Sequence, residues 1–234
     1  FTDPYYYQPL IRTVWVSLII IFGTLILGLS LAVLMAKPLK GMGMFRTIYY
    51  IPCVISISVI AQILNMWLQT YGGTFNLIRE SMGLEALNFK RNIPVMWFWI
   101  ITLCIWKGLG GTIIIFVACI MGIDKQMYEA ADLDGASRTR QFFSITLPSL
   151  RPMMTFVIVT SVVGVFGIFE PIKLITQGSP EMDGATRVIL FSIYEEAFSN
   201  FRMGMSNALS VVVFILTIIL TWISYRVRTR GGTE

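Results

Sequence analysis

The sequence predicts an all-α bundle of transmembrane helices, and three observations predict it. Hydrophobic residues make up 56% of the 234, with a mean hydropathy of +0.73. Charged residues are 13% of the chain, about half the share found in a soluble domain. The apolar residues gather into five runs, each close to the roughly 20 helical residues that cross a hydrocarbon core of ~30 Å.

The runs follow in order. Val14–Ala36 and Ile48–Leu68 contain no charged residue. Ile93–Met121 is longer and holds Lys107. Pro152–Ile175 holds Glu170 and Lys173 towards its end, and Met203–Tyr225 is again uncharged. The basic residues between the runs set the orientation. Lys37, Lys40, Arg46, Lys125, Arg138, Arg140, Arg151, Arg226, Arg228 and Arg230 fall on one side, and Arg12, Arg79, Lys90, Arg91, Arg187 and Arg202 on the other. The first side is therefore expected to be cytoplasmic, with the C-terminus inside and Phe1 outside. No signal peptide is visible. Phe1-Thr-Asp-Pro-Tyr reads as the middle of a loop, so one further span is expected upstream.

Composition excludes several functions. The chain has no histidine, which argues against His-dependent hydrolases, the usual zinc enzymes and haem ligation. Its net charge of +5 is dispersed among the runs and forms no basic face for nucleic acid. Cys53, Cys104 and Cys119 each sit in an apolar run and are read as small hydrophobes. No G-x-x-x-x-G-K-[ST] phosphate loop is present, so no catalytic residue and no bound cofactor is assigned. Gly108–Gly111 lie mid-run and are followed by Thr112, with no lysine.

Among the connections, 37–47 is a short basic turn, 69–92 and 176–202 are outer segments, and 122–151 is long for a connector. Within the second outer segment, Ala185–Ser199 can be helical and lay Ile189, Ile193 and Phe198 on the membrane surface. The 122–151 loop has a legible shape. Asp124 is suited to cap a helix N-terminus, residues 125–134 favour helix, and Gly135 can take the left-handed conformation that ends one. A second short helix through Phe142–Ile145 is expected, with Pro148 and Pro152 punctuating the start of the next span. The outcome is a helix–Gly–helix elbow along the inner surface. Ala130 and Ala131 leave a smooth patch for another polypeptide, and Met127 and Glu129 sit at its edge. A stiff element joined to two spans is suited to passing a rigid-body push into the membrane.

This loop resembles the cytoplasmic EAA loop of the membrane subunits of bacterial ABC importers. The pattern stands here as Glu129-Ala130-Ala131, Gly135, and Ile145-Thr-Leu147-Pro148. Asp134-Gly135-Ala136, with Pro152 four residues after Pro148, resembles the carbohydrate branch, the maltose- and glycerol-phosphate-type components. Leu133 is a small departure, standing where isoleucine is frequent. Phe45-Arg46 with Ile51-Pro52, Trp106-Lys107-Gly108-Leu-Gly110, Leu174–Pro180 and Phe198–Gly204 are similar to further family stretches, so the likeness covers almost the whole chain. Glu-Ala-Ala alone is common in helices; all these features in this order are specific.

The resemblance implies a permease like those of type I ABC importers. Met127, Glu129, Ala130, Ala131, Asp134, Gly135, Leu147 and Pro148 would couple it to a separate ATPase that binds ATP and magnesium. The implied partners are a second, homologous permease subunit, two ATPase subunits, an extracellular solute-binding protein and the lipid of the bacterial inner membrane.

The solute path is read less directly. Ionisable residues inside spans are functional candidates, which selects Lys107 and Glu170, the latter able to pair with Lys173 at i+3. The resemblance implies a mid-membrane sugar site lined partly by the fourth run. There Ser161, Gly164, Val165 and Ile168 share one face. Gln62 and Asn65, three apart in the second run, are further candidates, and Gly108 is another. For each of these the alternative is an interhelical hydrogen bond or close packing. Two other functions stay open at this point: import of a non-sugar solute such as glycerol phosphate or a polyamine, and secondary transport driven by an ion gradient.

Overall fold

The computed structural model describes residues 4–36, 41–166, 168–176 and 184–230. Lys37, Pro38 and Lys40 of the basic turn, and Gly178, Ser179 and Pro180 of the outer turn, lie outside the described residues. The described chain contains α1 (Pro4–Met35), α2 (Met42–Val54), α3 (Ile57–Trp67), α4 (Thr74–Ser81), α5 (Ile93–Met121), α6 (Lys125–Leu133), α7 (Arg138–Gln141), α8 (Leu147–Phe166), α9 (Glu170–Thr176), α10 (Ile189–Tyr194) and α11 (Met203–Arg230). A π-helical turn over Phe142–Thr146 joins α7 to α8 without a break, and another over Glu195–Ser199 follows α10. Helices are the expected solution in lipid, because each satisfies its own backbone donors and acceptors.

Among the described residues, four helices are long and apolar enough to cross a membrane, and α2 with α3 forms a fifth, broken candidate. The second run is thus not the straight span expected over Ile48–Leu68: α2 and α3 meet at 88°. Ile55 and Ser56 both hold extended backbone, with ψ of 138° and 132°. Pro52 lies inside α2 and removes one ladder donor just before the bend. The fourth run also differs from expectation. α8 ends at Phe166, the Ile168 amide folds back on the Val165 carbonyl at 3.0 Å, and α9 is a separate short helix. Pro171 has no N–H with which to carry the α8 ladder across. α1 begins ten residues ahead of the expected Val14 and tolerates Pro9 within it, and α11 continues past Tyr225 to Arg230.

Small residues set the packing, as they do where lipid removes the drive to bury hydrocarbon. α1 crosses α5 where a Cβ on Gly28 would stand 2.6 Å from Thr112 Cγ2 and one on Gly108 would stand 3.3 Å from Thr24 Cγ2. α2 crosses α5 at Gly110, where a Cβ would stand 2.7 Å from the Tyr49 carbonyl oxygen. Around these crossings lie two apolar clusters. One joins α1, α3, α5, α8 and α9 through Ile20, Leu64, Ile100, Val162 and Ile172; the other joins α1, α5 and α8 through Ala32, Phe116 and Val157.

Polar contacts close both ends of the bundle. At one end the Arg46 guanidinium donates to the Met35 carbonyl at 2.8 Å, capping α1. At the other, the Ile189 amide donates to Thr13 Oγ1 at 2.9 Å, Arg12 donates to the Gly184 carbonyl, and Arg187 pairs with Glu195 at 3.0 Å beneath the Tyr5 ring. Ile189 is accordingly buried against the bundle, which corrects its expected place on the membrane surface. Asn76, also buried, organises the 69–92 segment by donating to the carbonyls of Gln69, Thr70 and Leu87 and accepting from the Leu87 amide.

Candidate functional site

A cavity of about 360 Å³ opens where α1, the α2–α3 bend, α5 and α8 meet. Ile20, Ile21 and Thr24 line it from α1, Cys53 and Ile57 from the bend, and Cys104, Lys107, Gly108 and Thr112 from α5. Ser161, Gly164, Val165 and Ile168 complete the wall. Six residues selected from sequence therefore meet in one place: Lys107, Gly108, Ser161, Gly164, Val165 and Ile168. The lining is mostly hydrocarbon, with Thr24, Thr112 and Ser161 as its hydroxyl-bearing members, the Thr112 hydroxyl donating to the Gly108 carbonyl at 3.1 Å. Gly164 leaves room, since a Cβ there would meet nothing within 4 Å.

Lys107 is placed otherwise than an intramembrane charge suggests. Its ammonium donates to the carbonyls of Ile55 at 2.6 Å, Cys53 at 3.2 Å and Pro52 at 3.4 Å. These are carbonyls at and just beyond the end of α2, left without helical partners by the bend. Three other candidates lie outside the lining. Gln62 is exposed, and Asn65 is half-buried with an Oδ1 that has no hydrogen-bond partner. Glu170 accepts from Ser58 Oγ at 2.9 Å, tying α9 to α3. The expected Glu170–Lys173 pair does not form. Lys173 instead places its Nζ 3.9 Å from the centre of the Tyr194 ring, a contact favoured where water is scarce. A second groove, of about 410 Å³ between α8 and α11, is walled by Val159, Phe214, Ile218 and Trp222, a surface suited to hydrocarbon more than to a polar solute.

The elbow has the local chemistry expected of it. The Asp124 carboxylate accepts from the Gln126 amide at 2.9 Å and starts α6. Gly135 ends it with φ +72°, and the Ala136 amide reaches back to the Ala131 carbonyl at 2.9 Å. Ser137 caps α7 through the Arg140 amide. In place of a separate second helix over Phe142–Ile145, α7 runs through the π turn into α8. There the Leu147 amide bonds the Phe142 carbonyl, five residues back, and Pro148 removes the donor that would reach Ser144. Met127, Glu129, Ala130, Asp134 and Gly135 are all exposed, Ala131, Leu147 and Pro148 are half-buried, and no α6 residue is buried. Leu133 is 89% exposed and Phe143 60%.

The residues that stiffen the elbow carry no sequence signal of their own. Gln141, 3% exposed, donates to the Asp132 carboxylate at 2.5 Å and to the Ala136 carbonyl at 3.1 Å, and accepts from Arg138 at 3.0 Å. Arg138 also pairs with Asp132 at 3.5 Å. Tyr128 and Thr146 hydroxyls meet at 2.8 Å, binding α6 to the start of α8. The elbow is thus bonded to the start of a helix that lines the cavity.

Comparison with known proteins gives the chain's family and fold. The family described as "Binding-protein-dependent transport system inner membrane component" matches residues 24–230. The chain belongs to that family. It is 30% identical over 238 residues to the probable ABC transporter permease protein YurN of Bacillus subtilis, covering 100% of this chain and 81% of that relative. It is 29% identical to the arabinooligosaccharides transport system permease protein AraP of Halalkalibacterium halodurans, covering 94% of this chain and 70% of AraP. The fold matches a chain of a bacterial ABC transporter that imports the acidic polysaccharide alginate, with a TM-score of 0.90, 24% identity, and coverage of 100% of this chain and 82% of that one. This inner-membrane component is therefore a multi-pass permease subunit of a binding-protein-dependent importer.

Proposed function

We propose that the cavity is this chain's share of the path for a sugar or oligosaccharide, and that the α6–α7 elbow couples it to ATP hydrolysis on a separate subunit. The observation that carries the reading is mechanical. α6 exposes its Ala130 face and Leu133, is locked to α7 and α8 through Gln141 and Tyr128, and α8 supplies Ser161, Gly164 and Val165 to the cavity. Docking of an ATPase on α6 would turn α8 as a rigid body and open the cavity to one side or the other. The sugar assignment is supported by the hydroxyl-bearing apolar lining and by the arabinooligosaccharide permease among its relatives.

In this reading the elbow and the C-terminal Arg226–Arg230 segment face the cytoplasm. A homologous permease subunit completes the path, two ATPase subunits hold ATP and magnesium, and an extracellular binding protein delivers solute. The test is uptake in proteoliposomes containing the assembled importer and its binding protein. ATP-dependent accumulation of a saccharide that persists when ion gradients are collapsed is expected. Uptake that follows the ion gradient and ignores ATP would overturn the proposal in favour of secondary transport.

A further inference from the structure

We infer that Lys107 is a positioning residue for transport, the donor that holds the second span in its bent form and so fixes one wall of the solute cavity. A helix broken within a bilayer strands carbonyls that hydrocarbon cannot satisfy, and each unpaired group is costly. At this break the carbonyls of Pro52, Cys53 and Ile55 are met by one side chain from α5, 55, 54 and 52 residues away in the chain, at 3.4, 3.2 and 2.6 Å. A lysine ammonium has three N–H donors, so these contacts use its full capacity and leave none for solute. The cation also sits at the C-terminal end of α2, where the helix dipole favours positive charge. The close approach of α2 to α5 at Gly110 brings the two elements within reach of the clamp.

The inference rests on the cavity being the solute path, and the experiment separates the two ideas. Spin labels are attached through Met44→Cys and Met66→Cys, at two exposed positions, in the assembled importer after Cys53, Cys104 and Cys119 are replaced by alanine. At 1.5 Å per residue, straightening the 88° bend would lengthen their separation by about 10 Å. Lys107→Met is expected to shift or broaden the distance towards longer values. It should also lower the maximal rate of saccharide uptake by about tenfold or more, with the half-saturating concentration unchanged. Lys107→Arg, which can donate to the same carbonyls, is expected to restore both.

A Lys107→Met chain that fails to assemble while Lys107→Arg assembles also supports the clamp; equal failure of both overturns it. An unchanged distance with unchanged uptake overturns it too. So does an unchanged distance with selective loss of uronic-acid-containing over neutral oligosaccharides, which would make Lys107 a solute contact. If the unmodified importer moves no saccharide, the path reading fails, and the spin-label distance still decides the clamp.

Discussion

Gln141 and Asp132 are joined at 2.5 Å across the glycine turn that separates α6 from α7. With the Arg138–Asp132 pair and the Tyr128–Thr146 contact, this bond ties together two short helices, neither of which is long enough to hold its direction alone. Gln141→Leu removes the donor and leaves the Asp132 carboxylate with Arg138 only. Asp132 is half exposed, so solvent screening brings the loss to about 1 kcal/mol, below the usual range for a charged hydrogen bond. Fewer saccharides should be imported per ATP hydrolysed, with hydrolysis itself intact, as measured by paired uptake and phosphate-release assays.

Gly135 stands at φ +72°. A β-branched residue there costs roughly 1–2 kcal/mol, equivalent to a factor on the order of 5–30 in the population of the proper elbow. Gly135→Val should therefore uncouple ATP hydrolysis from uptake, whereas Gly135→Asn, which tolerates the left-handed region, should retain most transport. Normal uptake by the valine variant in an assembled importer would refute the coupling role.

Gly110 and Gly111 are neighbours with opposite surroundings. A Cβ on Gly110 meets the Tyr49 backbone at 2.7 Å, while one on Gly111 meets nothing within 4 Å. Gly110→Val should force α2 away from α5 at a cost of roughly 1–3 kcal/mol, and Gly111→Ala should be neutral. Thermal unfolding of the detergent-solubilised subunit in its complex checks the contrast.

Gly164 faces the cavity with space around it. Gly164→Leu should fill part of the 360 Å³ without disturbing helix packing. Assembly and basal ATP hydrolysis should survive and uptake should fall to background. Full uptake with the leucine in place would move the solute path elsewhere.

The membrane helices were legible because lipid leaves a chain few ways to satisfy its backbone, and α6 was legible because Asp124 and Gly135 act on their immediate neighbours. The bend at Ile55–Ser56 was not. Pro52 is compatible with a straight membrane helix, and what supports the break is a lysine on another span. The face of Ser161, Gly164, Val165 and Ile168 was readable as a period even though α8 stops before its last member. Gln62, Asn65 and Glu170 shared the same signal, polarity in an apolar run, yet their places were decided by which neighbour each span turned towards. Gln141, Tyr128 and Asn76 work through Asp132, Thr146 and Leu87, nine, eighteen and eleven residues away, across turns that no periodicity spans.

The bond between Thr13 and Ile189, 176 residues apart in sequence, has a bearing on how the chain is made. At about 5–20 residues per second, the ribosome takes roughly 10–35 s to supply the second partner after the first. Until then Thr13 can satisfy its hydroxyl on the Pro9 carbonyl of its own helix, 2.7 Å away. α1 can therefore wait in the bilayer with that hydroxyl already satisfied, and this contact between α1 and the start of α10 closes only once residue 189 has been made.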